Sequence, residues 1–314
     1  NYADIFLGLE IPKLNPQKEW LPVYLMMLPG LIYLLINNYM PLAGLVIAFK
    51  RVNFTTGIFK SPWAGLANFE FLFKTKDALT ITRNTLMYNF AFIIVNTVMG
   101  VLIAILISEI RAKKAKTLYQ SSVLLPFLMS YVIVSYIVFA FLSGDNGMLN
   151  NSILPALGIK EINWYAQAKY WPFIIILVNF WKSVGYGVLI YIAGIAGIDS
   201  SYYEAASLDG ANKLTQVWHI TLPALIPSIV TLTLLSIGRI FYSDFSLFYQ
   251  VPMNSGMLYE TTQTIDTYVY RGLLTLGNVS MSSAAGFYQS CVGFVLVMLS
   301  NLIVKKVSPE NALF

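Results

Sequence analysis

The chain has 314 residues, of which 57% are hydrophobic, 15% aromatic and 11% charged. A soluble globular chain carries about 25% charged residues, so this composition excludes a soluble protein and indicates a membrane protein. The net charge of +5 comes from 20 basic and 15 acidic residues that form no cluster typical of nucleic-acid binding. We therefore expect contact with lipid and no nucleic-acid partner.

Apolar runs long enough to cross about 30 Å of hydrocarbon recur along the chain. Each run must form a helix, because lipid offers no hydrogen-bond partner to the backbone of an open strand. The predicted spans are residues 22–49, 86–108, 119–142, 171–197, 224–248 and 285–304. The sequence therefore predicts an all-α membrane protein with six transmembrane helices in one domain, residues 1–314. Pro126 is expected to kink the third span or to mark its end.

The orientation of the spans follows from the Lys and Arg residues of short loops. Residues 109–118 place four basic residues between the second and third spans, and Lys305 and Lys306 adjoin the last span on the same side. The two sides hold equal numbers of basic residues in total, so the short loop carries the prediction. Both termini are expected in the cytoplasm.

The connection between the fourth and fifth spans, residues 198–222, is longer than a turn requires. Ser201 and Glu204 have the spacing of a capping box, which predicts a helix beginning at Tyr202. Gly210 can adopt the left-handed conformation that ends this helix, and a second short helix is expected after it. Two interpretations remain open: an amphipathic hairpin that anchors the bundle at the interface, or a rigid projection that docks into a soluble partner.

Polar and charged side chains inside the spans are candidates for a transport pathway, because burying a charge in lipid is costly. They are Asn179 and Lys182 in the fourth span, and Arg239, Tyr242, Asp244, Ser246 and Tyr249 in the fifth. On an ideal helix Arg239 and Asp244 lie about 140° apart and do not pair, whereas the other three residues of the fifth span follow one stripe with Arg239. Tyrosine rings can stack on sugars, and Arg239 would suit an acidic sugar. The alternatives are ties between helices and, for Lys182, extension to the outer interface.

Residues 204–223 show a specific spacing: Glu-Ala-Ala, three residues, Gly, nine residues, Ile, one residue, Leu-Pro. This spacing resembles the EAA signature of permease subunits of binding-protein-dependent ABC importers. The matching positions are Glu204, Ala205, Ala206, Gly210, Ile220, Leu222 and Pro223, with Asp209 beside the glycine. The resemblance implies a type I ABC importer permease fold, in which this loop is the cytoplasmic coupling helix between helices 4 and 5 and sits in a cleft of the ATPase.

Motifs outside this loop resemble the sugar-permease branch of the same family, the relatives of maltose permeases. Residues 65–69 and Asn84-Thr85 carry this resemblance around the second span. In the C-terminal third, residues 260–262, 265–271, 284–290 and 311–314 are similar to the branch that imports polysaccharide fragments and complex oligosaccharides, including alginate-type systems.

The sequence lacks the phosphate-binding motif G-x-x-x-x-G-K-[ST], so we expect a transport subunit, not an enzyme, with no cofactor of its own. A single His and a single Cys predict no metal site.

The family resemblance implies several partners. They are a second homologous permease subunit, two cytoplasmic ATPase subunits that bind ATP and magnesium, and an extracellular solute-binding protein that delivers an oligosaccharide or polysaccharide fragment. The location implied is the bacterial cytoplasmic membrane. The alternatives are a permease for another solute, such as glycerol phosphate or another small sugar, and an ion-coupled secondary sugar transporter.

Overall fold

The computed structural model describes residues 16–70 and 74–307. Within these residues the only pairing of the β type is an isolated bridge between Lys50 and Trp63. The helices, in chain order, are α1 (Pro16–Leu34), α2 (Lys76–Ser108), α3 (Lys113–Leu128), α4 (Tyr131–Leu142), α5 (Leu154–Ala156), α6 (Trp171–Ala196), α7 (Ser200–Leu208), α8 (Lys213–Gln216), α9 (Leu222–Ile237), α10 (Phe245–Gln250), α11 (Tyr259–Thr262), α12 (Ile265–Leu274) and α13 (Val279–Val307).

Five helical segments of the described residues are long and apolar enough to cross a membrane, or six if α3 and α4 count as one bent span. The first segment, Pro22–Phe49, begins inside α1 and extends beyond its end through a π-helical turn and a 3-10 helix. The others are α2, α6 with its preceding turn, Lys213–Ile237 and α13. The predicted all-α membrane architecture is confirmed.

The second and sixth spans begin earlier than the hydropathy pattern predicts, at Lys76 instead of 86 and at Val279 instead of 285. The added turns contain polar residues that hydropathy alone excludes from a span. In α2, the Asn84 side-chain amide donates to the backbone carbonyl of Glu260 in α11 at 3.0 Å and to that of Gln263, directly after α11, at 2.9 Å. Tertiary hydrogen bonds therefore allow these polar turns to remain helical inside the protein.

The predicted third span, 119–142, is wrong as a single helix. α3 ends two residues after Pro126, and α4 follows at an angle of 100°. The corner consists of Met129 and Ser130, both in extended conformation. The Ser130 hydroxyl accepts a hydrogen bond from the backbone N–H of Ile133 and caps α4.

The predicted fifth span, 224–248, is wrong at both ends. α8, a π-helical turn and α9 form one helix from Lys213 to Ile237, so the second short helix expected after Gly210 is the start of this span. Beyond Ile237 the chain leaves the helix, and α10 begins only at Phe245.

α6 is the helix around which the bundle packs, with α2 along one side and α3 along another. Val188 and Tyr191 of α6 are buried against Val101 of α2 in one apolar cluster of the described residues. Gly185 lets α3 approach closely, because a Cβ at this position would lie 2.4 Å from the carbonyl oxygen of Val123.

The first span, by contrast, packs little against the rest of the chain. Only 6% of its most apolar window is buried, and Met26 is 82% exposed. An apolar surface of this size requires cover by lipid or by another protein chain.

Candidate functional site

The helix α7 follows α6 directly and has no buried residue. Its N-cap is Asp199, whose carboxylate accepts a hydrogen bond from the backbone N–H of Ser201 at 2.9 Å. This hydrogen bond holds the pKa of the Asp199 carboxyl below its usual range. The predicted capping box of Ser201 with Glu204 and the helix start at Tyr202 are therefore wrong, because Asp199 caps the helix further upstream.

The C-terminus of α7 is closed as the sequence predicts. Gly210 has φ +81°, in the left-handed region that suits glycine. Its N–H donates to the carbonyl of Ser207 at 3.1 Å, and the N–H of Ala211 donates to that of Ala206 at 2.9 Å. This pair of bonds is a Schellman motif, which satisfies the last carbonyls of the helix. α7 is thus capped at both ends and stiff.

Two side-chain hydrogen bonds connect α7 to the start of the fifth span. The Tyr203 and Thr221 hydroxyls lie 2.9 Å apart, and Thr221 is buried. The Gln216 amide donates to the Ser207 hydroxyl at 2.9 Å. These bonds connect α7 directly to the helix that contains α8 and α9.

An ion pair brings the two predicted cytoplasmic loops together. The Lys213 ammonium lies 3.0 Å from a carboxylate oxygen of Glu109, which follows α2 directly. Both side chains are largely exposed, so the pair contributes little to stability. It shows that residues 109–118 and 198–222 lie at the same end of the bundle.

The predicted coupling residues divide by exposure. Exposed positions are Glu204, Ala205, Asp209, Gly210 and Pro223, and half-buried positions are Ala206, Ile220 and Leu222. The exposed positions, which include both carboxylates of the signature, are therefore available to a partner, while the three half-buried apolar positions are partly covered within the chain.

A second candidate site is a cavity of about 910 Å³ between α2, α6, α9 and the segment 238–244. This volume lies in the range of small-molecule sites, roughly 300–1,000 Å³. Amide and charged side chains among its lining residues are Asn89, Asn96, Asn179, Arg239, Asp244 and Asp266. Tyr186, Tyr191 and Tyr242 add aromatic rings to the wall.

The segment 238–244 reaches the cavity because the helix is broken there. Asp244 caps α10, since its carboxylate accepts from the backbone N–H groups of the second and third following residues. Asn89 of α2 donates from its side-chain nitrogen to the carbonyls of Ile240 and Tyr242, at 3.0 and 2.9 Å. These bonds replace the intrahelical bonds that the break removes.

Asp266 of α12 holds the same segment from the other side. One oxygen of the Asp266 carboxylate accepts three hydrogen bonds. The donors are the backbone N–H of Ser243 at 2.7 Å, the Ser243 hydroxyl at 2.6 Å and the Gln289 side-chain amide at 3.1 Å.

Four predicted pathway residues line the cavity, namely Arg239, Tyr242, Asp244 and Asn179. The predicted helical stripe is wrong, because its members belong to a loop and to a separate helix. Ser246 lies in the first turn of α10, and the Tyr249 ring packs on those of Phe245 and Tyr270. Neither Ser246 nor Tyr249 is among the lining residues.

Sequence reasoning missed Asn89, Asn96 and Asp266 as lining residues. A signal was available for the two asparagines, because both lie in an apolar span where unpartnered amides are costly. Asp266 carried no such signal, since it lies in a polar segment between spans.

Lys182 does not line the cavity. Its side chain is buried, and its ammonium donates to the carbonyls of Phe127 at 2.9 Å and Pro126 at 3.3 Å. The ammonium also lies 4.9 Å from the ring centroid of Tyr131. Lys182 therefore ties the corner between α3 and α4, which agrees with the alternative of a tie between helices, and the alternative of an extension to the outer interface is wrong.

Within the described part of the chain, no group of three or more His, Cys, Asp and Glu side chains is arranged to hold a metal ion. The expectation that the chain binds no cofactor stays a prediction.

Apolar spans, a polar cavity and a capped helix outside the bundle together define a membrane transport subunit. The chain belongs to the family of binding-protein-dependent transport system inner membrane components, which matches residues 98–309. It is a multi-pass protein of the bacterial membrane.

Curated relatives match the chain over nearly its whole length. Protein LplB of Bacillus subtilis (strain 168) is 34% identical over 293 residues, which cover 93% of this chain and 91% of LplB. The polygalacturonan/rhamnogalacturonan transport system permease protein YteP of the same organism is 36% identical over 289 residues, with 92% and 89% covered.

A solved structure with the same fold is that of a bacterial ABC transporter involved in the import of the acidic polysaccharide alginate. It matches with a TM-score of 0.84 and 31% identity, and the match covers 93% of this chain and 97% of that chain. The predicted type I ABC importer permease fold and the assignment to ABC importer permeases are confirmed. The alternative of an ion-coupled secondary transporter is excluded by the family.

Proposed function

We propose that this chain is one of two membrane subunits of an ATP-driven importer that carries an oligosaccharide or a polysaccharide fragment. The observation that carries the proposal is the cavity of about 910 Å³, whose wall combines amides, carboxylates, a guanidinium and tyrosine rings. These groups bind sugars by hydrogen bonds to hydroxyls and by stacking on the sugar ring. The names of YteP, of an arabinooligosaccharide permease that is 29% identical and of the alginate importer agree with a saccharide cargo.

Arg239, Tyr242, Asp244 and Asn179 are proposed as residues of the translocation pathway, because they line this cavity. Lys182, Ser246 and Tyr249 are not retained, since they act in the corner between α3 and α4 and in α10.

Energy is proposed to enter from two ATPase subunits, which hold ATP and magnesium, while this chain holds neither. α7 would sit in a cleft of one ATPase, with Glu204, Asp209 and Gly210 on its exposed side. Closure of the ATPase pair would then move α7 as a rigid body, and the bond between Tyr203 and Thr221 would pass the movement to the fifth span. In this proposal, loop 198–222 and both termini lie in the cytoplasm.

A second, homologous permease is proposed to complete the pathway and to cover the exposed apolar surface of the first span. A solute-binding protein is proposed to deliver the saccharide from outside. This last point is supported by a structure of the alginate transporter in complex with an alginate pentasaccharide-bound periplasmic protein. The chain of that structure that matches this chain is 30% identical to it.

Proline at position 210 tests the coupling proposal. Proline requires φ near −65° and has no N–H, whereas Gly210 has φ +81° and donates to Ser207. We expect Gly210→Pro complexes to assemble in the membrane while substrate-stimulated ATPase activity falls to the basal rate. Gly57→Pro is the matched control, because Gly57 has φ +83° and donates to Asn53 at 3.1 Å, outside the loop.

Glu204→Ala tests the same surface without a change of backbone. Its expected result is also assembly without coupling, because the variant removes an exposed carboxylate of the signature. The chain should first co-purify with a second permease and an ATPase. Wild-type stimulated ATPase activity in reconstituted Gly210→Pro complexes would contradict the proposal.

A further inference from the structure

We propose that the saccharide carried through this cavity is uncharged, because the wall is built to receive hydrogen bonds from hydroxyl groups and to repel carboxylates. The inference rests on the proposed function and narrows its substrate class.

The charge of the cavity is the first argument. Its lining contains one guanidinium, from Arg239, and two carboxylates, from Asp244 and Asp266. Lys182 lies close enough to Asp244 to interact with it electrostatically, but its ammonium is bound to backbone carbonyls and does not line the cavity. Even when Lys182 is counted, cations do not outnumber carboxylates. A saccharide with a carboxylate on every ring needs an excess of cations, which this wall does not supply.

The orientation of the amides is the second argument. The side-chain nitrogen of Asn89 is committed to backbone carbonyls, which leaves its oxygen as the group for a ligand. The side-chain nitrogen of Asn96 donates to the Asn179 oxygen at 3.0 Å. The oxygen of Asn96 is buried and has no hydrogen-bond partner among the described residues. The Asn89 oxygen can therefore accept from a ligand hydroxyl, and the buried, unpartnered Asn96 oxygen adds a further negative dipole beside the wall.

Asp266 adds a further acceptor. The three hydrogen bonds to its carboxylate all fall on one oxygen, and the other oxygen has no such bond in the described structure. A sugar hydroxyl can donate to such groups, whereas an ionised carboxylate can only accept. The two carboxylates of the wall repel an ionised saccharide and accept from hydroxyls, so they favour a neutral saccharide over an acidic one of equal length. In this respect we expect the chain to differ from the alginate importer, whose cargo is acidic.

The test uses the complete complex of both permeases and both ATPases in nanodiscs, without the binding protein, so that binding reports on the membrane subunits. Binding of tetrasaccharides is measured by saturation-transfer difference NMR. The neutral probes are tetrasaccharides of glucose, galactose, xylose and arabinose, and the acidic probes are those of galacturonic and mannuronic acid. We expect at least one neutral probe to bind about tenfold or more tightly than either acidic probe.

A charge-removing double variant then assigns the preference to this chain. Asparagine retains an acceptor oxygen and is a good N-cap, so Asp244→Asn with Asp266→Asn removes charge while it preserves the hydrogen bonds. We expect the preference for neutral probes to shrink about tenfold in this variant. Asp145→Asn, which changes an exposed loop carboxylate, is the control and should leave the preference unchanged. If the double variant does not fold, Asp244→Asn alone carries the test.

Acidic probes that bind wild-type complexes as tightly as neutral ones would overturn this inference and leave the proposed function intact. An unchanged preference in the double variant would also overturn it, because the selectivity would then belong to another chain. Proteoliposomes that contain the whole importer provide a second measurement, the uptake of the same saccharides. If no saccharide binds and none is taken up, the inference and the proposed function are both overturned.

Discussion

Replacing Lys182 by methionine tests whether this buried lysine holds the corner between α3 and α4. The Phe127 carbonyl has the Lys182 ammonium as a donor at 2.9 Å, whereas the Pro126 carbonyl also accepts from the backbone N–H of Met129 at 3.2 Å. Methionine therefore removes the donor of the part-buried Phe127 carbonyl, which costs about 1–3 kcal/mol. Loss of the contact with the Tyr131 ring, 4.9 Å away, adds about 1 kcal/mol.

Part of this cost is returned, because methionine also removes the penalty of burying an ammonium. We expect a net loss of about 2 kcal/mol in the free energy of unfolding. The measurement is the thermal unfolding midpoint of the purified complex, followed by intrinsic fluorescence. Lys169→Met, which removes an exposed lysine 4.7 Å from the ring centroid of Tyr170, is the control and should behave as wild type. A Lys182→Met complex that unfolds at or above the wild-type midpoint would refute the reasoning.

Two further predictions concern packing and capping. Gly185→Ala should destabilise the complex by about 2 kcal/mol or more, because its Cβ would lie 2.4 Å from the Val123 carbonyl oxygen. Gly187→Ala is the control, since its Cβ would meet only an ordinary contact at 3.7 Å and should be tolerated. The measurement is the thermal unfolding midpoint of each variant complex. Asp199→Ala should speed amide hydrogen exchange in α7, and Asp199→Asn should not, because asparagine also caps. Hydrogen bonding lowers the Asp199 pKa, so the stabilisation of α7 by this cap is fully present above the unfolded-state pKa of about 3.9 and is lost only as the pH falls through the lower native pKa. Faster exchange in wild-type α7 caused by loss of the cap between pH 7 and pH 5 would contradict this prediction.

The structure of loop 198–222 was predictable in kind but not in detail. The spacing from Glu204 to Pro223 identifies the family, and Gly210 adopts the left-handed conformation that its position requires. The first cap was misplaced because Asp199 and Ser201 are both good N-caps, and local sequence does not rank them. The continuity of α8 with α9 was missed because Pro223 follows a π-helical turn and is accommodated at the start of α9.

The cavity was predictable only in part. Polar residues in apolar spans are unusual enough to be noticed singly, as Asn179 and Arg239 were. Whether such residues share a wall depends on the path of the backbone between them. The break after Ile237 brings Arg239 and Tyr242 to the cavity, and it separates them from Ser246 and Tyr249.

The sequence by itself determined the membrane architecture and the family. The free energy of placing a segment in lipid depends on the composition of that segment, and a signature of fixed spacing is local to its loop. Tertiary structure alone decided where the third and fifth spans break, which residues meet in the cavity and what Lys182 does. Each of these depends on hydrogen bonds between residues far apart in sequence, such as the bond from Asn89 to the Tyr242 carbonyl. Such bonds replace intrahelical bonds, and they leave no periodic pattern in the local sequence from which a break could be predicted.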